Sequence, residues 1–371
     1  MRLLLFLVII VHGLIHLMGF AKAFKYAEIS QLTQEISRPF GLLWLFCALT
    51  LTVAGSLFLF KQASWWWVAL PAVVLSQILI FAFWSDAKFG TVANLIILLP
   101  LSAVALETRP DSYGNQYKAA AREGLARYVE MPLVTEADLS HLPAPVQKYL
   151  RITGAVGKPR IHNFRAVFTG DFRNGLESSW MVFRSEQYNF FDQPTRLFLM
   201  KAAMYGLPVE GLHLFRGDSA TMQIKLASLL QLVDARGPKM NQGETVTLFN
   251  DLCLMAPAVL IDKQRIQWED AGPLAARAKF THMGNTISAL LSFNQAGELT
   301  DFISNDRFLS ADGKTFKSYP WSTPVRNYKD FRGRKVVGYG EAVWHTPEGE
   351  FSYGKFNLAE IEYNLSAARS R

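Results

Sequence analysis

The first 106 residues are almost wholly apolar and divide into four runs, each followed by charged or turn-forming residues. The runs cover residues 3–20, 40–60, 65–84 and about 90–106. A transmembrane helix needs about 20 predominantly apolar residues. Tryptophans lie at the ends of the third run, as they do in the aromatic belt at a membrane interface. The pattern predicts a four-helix transmembrane domain over residues 1–106.

Two interpretations fit the first run. Arg2 followed by an apolar centre is typical of a signal peptide, but the run is long and no small-x-small cleavage site follows it directly. We therefore interpret it as an uncleaved helix. Four spans place both termini on one side of the membrane. Three positive residues close to the runs lie on that side and four lie on the other, so charge leaves the orientation open.

His12 and His16 are the histidines of the apolar part, and their i, i+4 spacing places them on one face of a helix. Two histidines at this spacing can bind one metal ion. The ordinary alternative is hydrogen bonding to neighbouring helices. Gly13 and Gly19 would allow another helix to approach closely, which favours packing. No metal site is therefore predicted, and His12 and His16 are kept as the candidates for one.

Charge and cysteine content exclude several classes of protein. The formal net charge is +7, of which six basic and three acidic residues of 1–106 supply +3, leaving +4 for the remainder. Without a dense basic run this is no nucleic-acid footprint, so no nucleic-acid partner is expected. Cys47 lies in an apolar run and Cys253 in the polar part, so no disulfide is expected. No cofactor motif is present, and no cofactor is expected.

After residue 106 the chain changes character. Residues 107–150 are helical in pattern and predict a juxtamembrane linker, whereas residues 151–371 alternate apolar and polar positions between turn signals. Three segments from 276 to 307, joined by two tight turns, predict an antiparallel meander. The full set of predicted strands is 161–172, 178–184, 195–202, 211–215, 221–225, 276–282, 287–293, 299–307, 336–345, 350–356 and 361–365.

One helical segment interrupts the strands. Residues 252–261 are apolar on nearly every side, and Pro257 would kink or shorten the helix. A helix that is apolar all round must be buried. We therefore predict an α-helical membrane block followed by an α+β domain, in which a large, curved, half-barrel-like antiparallel sheet holds a buried helix across its concave face.

Several short motifs stand out in the polar part: Leu142-Pro143-Ala144-Pro145-Val146 with Tyr149-Leu150 and Gly154, Leu248-Phe249-Asn250-Asp251 with Ala256-Pro257, Trp268, Asp306-Arg307-Phe308, and Trp321. With the histidine-bearing first helix, they resemble a family of uncharacterised bacterial membrane-anchored proteins. The polar part also resembles, at the level of fold, the periplasmic lipoprotein and lipid carriers. The first resemblance implies a location in the bacterial inner membrane. The second implies a periplasmic β-rich domain that holds acyl chains.

No nucleophile or phosphate-binding motif is present, so no catalytic residue is predicted. Asn250, Asp251 and Asp306 form the candidate polar site. Asp251 has the chemistry of a general base or metal ligand, but capping of the following helix explains Asn250 and Asp251 as well. Asp306 and Arg307 could bind an anionic head group or form a local ion pair. Asp301 is predicted to be a buried polar residue that needs a partner.

Aromatic residues are abundant in the polar part and form either an ordinary sheet core or a cleft for an apolar ligand. We predict that this domain binds an apolar or lipid-like ligand at the membrane surface, with membrane lipid as partner and no protein partner identified. The alternatives are a structural or partner-binding module held at the membrane, and a lipid head-group hydrolase or transferase using Asp251 or Asp306. The predicted ligand-binding residues are Trp268, Phe280, Phe293, Arg307, Trp321 and Trp344.

Overall fold

Four long apolar helices form the N-terminal part of the computed structural model, as the four runs predicted. They are α1 (Arg2–Ala23), α2 (Arg38–Leu59), α3 (Trp65–Ala82) and α5 (Gly90–Glu107), and each is long and apolar enough to cross a membrane. The short α4 (Trp84–Ala87) precedes α5. The structure describes residues 2–204, 207–310 and 313–367.

The helices of this first unit, Met1–Ser112, leave large apolar side chains exposed. Leu4, Phe81 and Leu99 each expose about two-thirds of their surface, at 65%, 65% and 66%. In water such a surface would be strongly unfavourable, whereas lipid tails solvate it. Inside, the indole of Trp44 lies flat against Gly19, where a Cβ would collide with the ring. The predicted close approach at Gly19 is therefore present.

The second unit, Tyr113–Arg371, is built around one antiparallel sheet of fourteen strands that curves into a half-barrel. Thirteen strands follow one path in the order β6-β5-β4-β3-β2-β1-β18-β17-β13-β10-β9-β8-β7, and β14 pairs with β17. The sheet strands are β1 (Asn163–Phe172), β2 (Met181–Phe190), β3 (Thr195–Met204), β4 (Leu207–Arg216), β5 (Ser219–Leu226), β6 (Leu230–Arg236), β7 (Ile266–Asp270), β8 (Ala275–His282), β9 (Asn285–Phe293), β10 (Leu299–Ser304), β13 (Trp321–Ser322), β14 (Val325–Arg326), β17 (Tyr339–Thr346) and β18 (Gly349–Tyr363).

Two small hairpins and three helical segments that precede the sheet in sequence also belong to this unit. The hairpins pair β11 (Phe308–Leu309) with β12 (Lys317–Ser318), and β15 (Lys329–Phe331) with β16 (Arg334–Val336). Helix α6 (Tyr113–Ala126) packs its tyrosines on β2 and β3, in a cluster with Tyr188, Leu197 and Leu199. A 3₁₀ turn (Glu136–Leu139) leads to α7 (Ala144–Ile152). Residues 113–126 and 144–152, expected to be part of a linker, therefore pack with the sheet.

The buried helix is α8 (Pro238–Met255), followed by a 3₁₀ turn (Pro257–Ile261). It contacts β5 and β6 at one end of the sheet and β8, β9 and β10 at the other, which one helix can do only from inside the curve. Phe249 stacks on Phe280 with ring centroids 4.9 Å apart. The predicted position on the concave face is confirmed.

The predicted bounds of that helix, 252–261, are wrong. The helix begins fourteen residues earlier, at Pro238, and Pro257 starts the 3₁₀ turn that follows it. Residues 238–247 contain Gly243 and two β-branched threonines, Thr245 and Thr247, which lower intrinsic helix propensity. Tertiary burial overrides that propensity, because nearly every residue from Gly243 to Met255 is buried.

Candidate functional site

Three buried charged side chains meet between α8 and β3. Glu244 and Asp251 lie two turns apart on α8, so they point from the same side of the helix. Between them lies Arg196 of β3, whose NH1 is 3.1 Å from Glu244 Oε2 and whose Nε is 2.7 Å from Asp251 Oδ2. None of the three residues exposes more than 7% of its surface. One guanidinium therefore bridges two carboxylates out of contact with water.

Two amides of β2 complete the surroundings of Asp251. Gln187 Nε2 donates to Asp251 Oδ2 at 2.5 Å and to Asn189 Oδ1 at 2.8 Å, and Asn189 Nδ2 donates to Asp251 Oδ2 at 3.3 Å. With Arg196, three donors converge on one carboxylate oxygen. This arrangement holds Asp251 in place and leaves that oxygen fully occupied.

Glu244 is also surrounded by polar groups, among them a second arginine. His213 Nδ1 of β4 lies 3.6 Å from Glu244 Oε1, and Arg307 NH2 lies 4.0 Å from the same oxygen. Thr247 donates its hydroxyl at 3.4 Å to that oxygen as well. The cluster thus contains two carboxylates and two guanidiniums, which balance in charge.

Arg307 lies in an aromatic pocket. Its guanidinium carbon is 4.3 Å from the ring centroid of Trp321 and 5.6 Å from that of Trp344. Its NH1 donates at 2.8 Å to the hydroxyl of Tyr353, which also accepts from Trp321 Nε1 at 3.1 Å. Cation–π contact and one charge-assisted hydrogen bond hold the guanidinium, and its side chain remains 15% exposed.

The two carboxyls differ in acidity. Burial by itself raises the pKa of Glu244, but Arg196, His213 and Arg307 outweigh burial and lower it to about 2. Burial raises the pKa of Asp251 and prevails over the opposing effect of Arg196. Arg196 keeps its charge, since the two carboxylates raise its pKa against the effect of burial. Asp251 is therefore the more easily protonated of the two acids.

The structure brings together four of the residues singled out from the sequence. Asp251 belongs to the charge cluster, and Arg307, Trp321 and Trp344 form the aromatic pocket beside it. The other predicted aromatic residues lie elsewhere: Phe280 packs under Phe249, Phe293 packs on Tyr149, and Trp268 donates to the carbonyl of Leu260.

Each of the remaining polar candidates has a hydrogen-bond partner within the fold. Asn250 donates its side-chain amide to Thr323 Oγ1 at 2.5 Å, and Asp306 Oδ2 accepts the backbone N–H of Ser288 at 2.6 Å. Asp301 accepts the backbone N–H of Phe302 at 2.9 Å, and burial raises the pKa of Asp301 to about 6.

The capping role expected for Asn250 and Asp251 is wrong. Because α8 begins at Pro238, both residues lie in its interior. Their side chains contact Thr323, which follows β13, and Arg196 of β3 instead of helical N–H groups. An apolar run defined the predicted start, whereas the helix also includes the more polar turns before that run. The ion pair with Arg196 supplies the interaction that lets an aspartate lie inside a buried helix.

Sequence reasoning missed most of the cluster: Arg196, Glu244, His213, Gln187 and Asn189. A signal did exist in β2 and β3, where Gln187, Asn189 and Arg196 occupy positions that alternation assigns to the face opposite Tyr188 and Leu197. Polar residues at three positions of one sheet face indicate either solvent or a buried partner. Nothing in the sequence shows that the partner is a helix some fifty residues away.

An apolar strip continues from the charge cluster along the same face of the sheet. Met200, Gly211 and Ile224 lie side by side on β3, β4 and β5, followed by Ala202, Val209 and Leu226 one pleat further on. All but Gly211 are half-buried. Ser185 lies beside Met200, and its buried hydroxyl has no partner among the described residues. The concave face therefore passes from charged to apolar over a few residues.

A separate polar network lies among the helices of the first unit. His12 Nε2 is 2.9 Å from Asn94 Oδ1 and 3.0 Å from Ser76 Oγ, and Asn94 donates to Gln77 Oε1 at 3.0 Å. His16 Nδ1 is 2.9 Å from the carbonyl oxygen of His12. In the described part of the chain, no group of three or more His, Cys, Asp or Glu side chains is placed to hold a metal ion.

A family model matches residues 132–356, which is more than half of the chain and contains the whole charge cluster and aromatic pocket. The chain belongs to the family of unknown function DUF6544. This confirms the resemblance to an uncharacterised family. The four apolar helices lie outside the matched residues. No curated protein is similar enough to this member to count as a relative.

Three solved structures are similar to part of this chain. One is a LolA superfamily protein from Nitrosomonas europaea, with 10% identity and a TM-score of 0.35 over 59% of this chain and 93% of that one. Another is a DUF1329 family protein from Desulfovibrio piger, with 12% identity and a TM-score of 0.34 over 60% and 93%. A candidate outer membrane lipoprotein-sorting domain from Vibrio parahaemolyticus gives 12% and 0.33 over 54% and 85%. TM-scores this low establish no shared activity.

Proposed function

We propose that this DUF6544 member is a multi-pass membrane protein whose sheet domain binds an amphiphilic, lipid-like molecule on its concave face. The supporting observation is the continuity of the apolar strip with the buried charge cluster. Apolar side chains can hold an acyl chain by burying its surface. Four helices that present apolar side chains outward keep the domain where such ligands are concentrated.

Arg307 is the residue we assign to the polar end of the ligand. Among the described residues its guanidinium donates a hydrogen bond only to Tyr353, and a guanidinium has five N–H donors. Trp321 and Trp344 fix its position, so it needs little reorganisation to meet an anionic group. Arg196 is unsuited to this role because Glu244 and Asp251 already engage it.

Asp251 and Asp306 are not proposed as catalytic groups. Three donors converge on Asp251 Oδ2, and a backbone N–H of β9 donates to Asp306 Oδ2. Both carboxylates hold elements of the fold together.

The test uses Gly211, which lies in the middle of the strip. A Cβ there would lie 3.8 Å from Ile224 and 3.9 Å from Met200, which is ordinary contact, so a larger side chain can enter without displacing backbone. We expect Gly211→Leu to fold normally and to fill the strip. Gln223→Leu on the other face of β5 is the matched control.

The measurement is photo-cross-linking of a lipid bearing a reactive group on its acyl chain to the full-length protein in nanodiscs. Cross-links mapped to Met200 and Ile224, on either side of Gly211, should form in the native protein and in Gln223→Leu, and should be several-fold fewer in Gly211→Leu. Labelling confined to the four helices, or unchanged by Gly211→Leu, would contradict the proposal.

Orientation in the membrane is a separate proposal. We expect four spans and a periplasmic sheet domain. Reporter fusions at Lys61 and at the C-terminus should agree with each other, and a fusion at Lys25 should give the opposite result. Disagreement between the Lys61 and C-terminal fusions would contradict four spans.

A further inference from the structure

Two neighbouring hairpins of the sheet end in apolar tips. The tips consist of residues 202–204 with 207–209, where β3 turns into β4, and residues 226–233, where β5 turns into β6, and none of these residues is charged. Leu229 and Leu230 each expose 59% of their surface, and Leu207 exposes 43%. Exposed leucines grouped on adjacent hairpins form a patch of the kind that marks an interaction surface.

At the opposite end of the same strands, the turns carry charged residues. The turn between β2 and β3 contains Asp192. The turn between β4 and β5 contains Asp218, and Arg216 is the last residue of β4. The turn of the β17–β18 hairpin lies at the same end of the strands as the tips, but it carries Glu348 and Glu350. Among these turns the exposed leucines are therefore confined to the β3–β4 and β5–β6 tips, and the β1–β2 loop beside them also exposes Leu176, at 46%.

Covalent connectivity keeps one tip close to the membrane. Tyr113, the first residue of α6, exchanges hydrogen bonds with Gln231 of the β5–β6 tip at 3.0–3.1 Å. Tyr113 follows Glu107, the last residue of α5, by six residues. Six residues span at most about 22 Å. The bilayer that would hold α5 is therefore always within reach of this hairpin.

Cationic and aromatic side chains flank the tips. Lys225 lies 4.5 Å from the ring centroid of Tyr113. In the neighbouring β1–β2 loop, Arg173 lies 4.5 Å from the ring of Trp180, and Lys355 of β18 lies 4.6 Å from the same ring. Tryptophan, tyrosine and basic side chains are typical of the membrane–water interface, and basic ones are attracted to anionic lipid head groups.

From these observations we infer that the apolar tips of β3–β6 insert into the surface of the bilayer that holds the helices of the same chain. Leucines enter the interfacial region, and Lys225, Arg173 and Lys355 lie at the level of the head groups. The tips adjoin the end of the apolar strip and share Ala202, Val209 and Leu226 with it. The inference rests on the exposed leucines beyond these residues and on the short connection to α5, so it does not rest on ligand binding in the strip.

The experiment places one environment-sensitive fluorophore on the full-length protein in nanodiscs of phosphatidylethanolamine and phosphatidylglycerol. The fluorophore is attached through Leu229→Cys or Leu207→Cys at the tips. The matched control is Asp218→Cys, at the opposite end of the strands. The native cysteines, Cys47 and Cys253, are buried. Quenching is compared for spin-labelled lipid and for aqueous iodide.

We expect spin-labelled lipid to quench the probes at 229 and 207 several-fold more than the probe at 218, and iodide to show the reverse order. Equal quenching at all three positions would overturn the inference. Protection of the tip probes from both quenchers would overturn it in favour of a protein partner or a second copy. A further variant, Leu230→Glu with the probe at 229, should restore quenching by iodide while leaving the probe at 218 unchanged.

Discussion

The two units of this protein bury polar side chains in different ways. Among the helices of the first unit, His12, Ser76, Asn94 and Gln77 form a network of imidazole, hydroxyl and amide groups. In the second unit the buried network is ionic, with Arg196 between Glu244 and Asp251. Both networks connect elements that are distant in sequence, and both are almost fully buried except at Gln77, which is half-buried.

The difference follows from the surroundings that we propose for each unit, lipid for the helices and water for the sheet domain. A charge inside a membrane helix is costly to place in lipid, so groups that hydrogen-bond without a full charge serve there. A domain that folds from water can bury charges when they are paired and further hydrogen-bonded, as Asp251 is by two amides. Removing one partner should therefore be far more damaging in the sheet domain than among the helices.

The largest effect is expected for Arg196→Met. It leaves two carboxylates buried without their shared counter-ion, which should lower the free energy of unfolding of the sheet domain by about 3–5 kcal/mol. Hydrogen exchange of β2–β4 peptides in the full-length protein measures this loss. The control is Arg184→Met, whose side chain is 60% exposed and should cost little. A loss for Arg196→Met as small as that of the control would show that the cluster is not the ionic centre described above.

An effect of about 3 kcal/mol that depends on pH is expected for Glu244. Its pKa of about 2 in the folded protein lies below the ordinary value, so its charged form favours folding. The contribution is complete above about pH 4.3, the ordinary pKa of a glutamate, and is lost as pH falls through about 2. The difference in Tm between native protein and Glu244→Gln should shrink over that range. The exposed Glu350→Gln should show no such change, and a constant difference for Glu244→Gln would contradict the assigned acidity.

The smallest effect is expected in the first unit. Asn94→Leu removes the amide that contacts His12, Ser76 and Gln77, and interhelical hydrogen bonds of this kind contribute about 0.6–2 kcal/mol. Unfolding of the helices in mixed detergent micelles measures the loss, with the exposed Leu99→Ala as control. If Asn94→Leu proved as damaging as Arg196→Met, the contrast between the two networks would fail.

The local sequence pattern predicted those helices and strands whose secondary structure depends mainly on their own residues. The four apolar runs match α1, α2, α3 and α5 to within a few residues at each end, because the hydropathy of one segment decides whether it can lie in lipid. The antiparallel meander was predicted equally well, because its first predicted strand, 276–282, corresponds to β8 (Ala275–His282). Its alternation and tight turns reflect pairing between neighbours in sequence.

Only the tertiary structure determined where α8 begins and which charges meet. Residues 238–247 carry weak helix formers, and their helix is stabilised by a sheet whose strands come from both before and after it in the chain. Arg196 and Glu244 are 48 residues apart, and the local sequence pattern around either residue does not predict contact with the other. Their meeting depends on the curvature of the whole sheet, which brings β3 and α8 together. An unpaired charge in the interior would be strongly unfavourable, so the two side chains remain in contact.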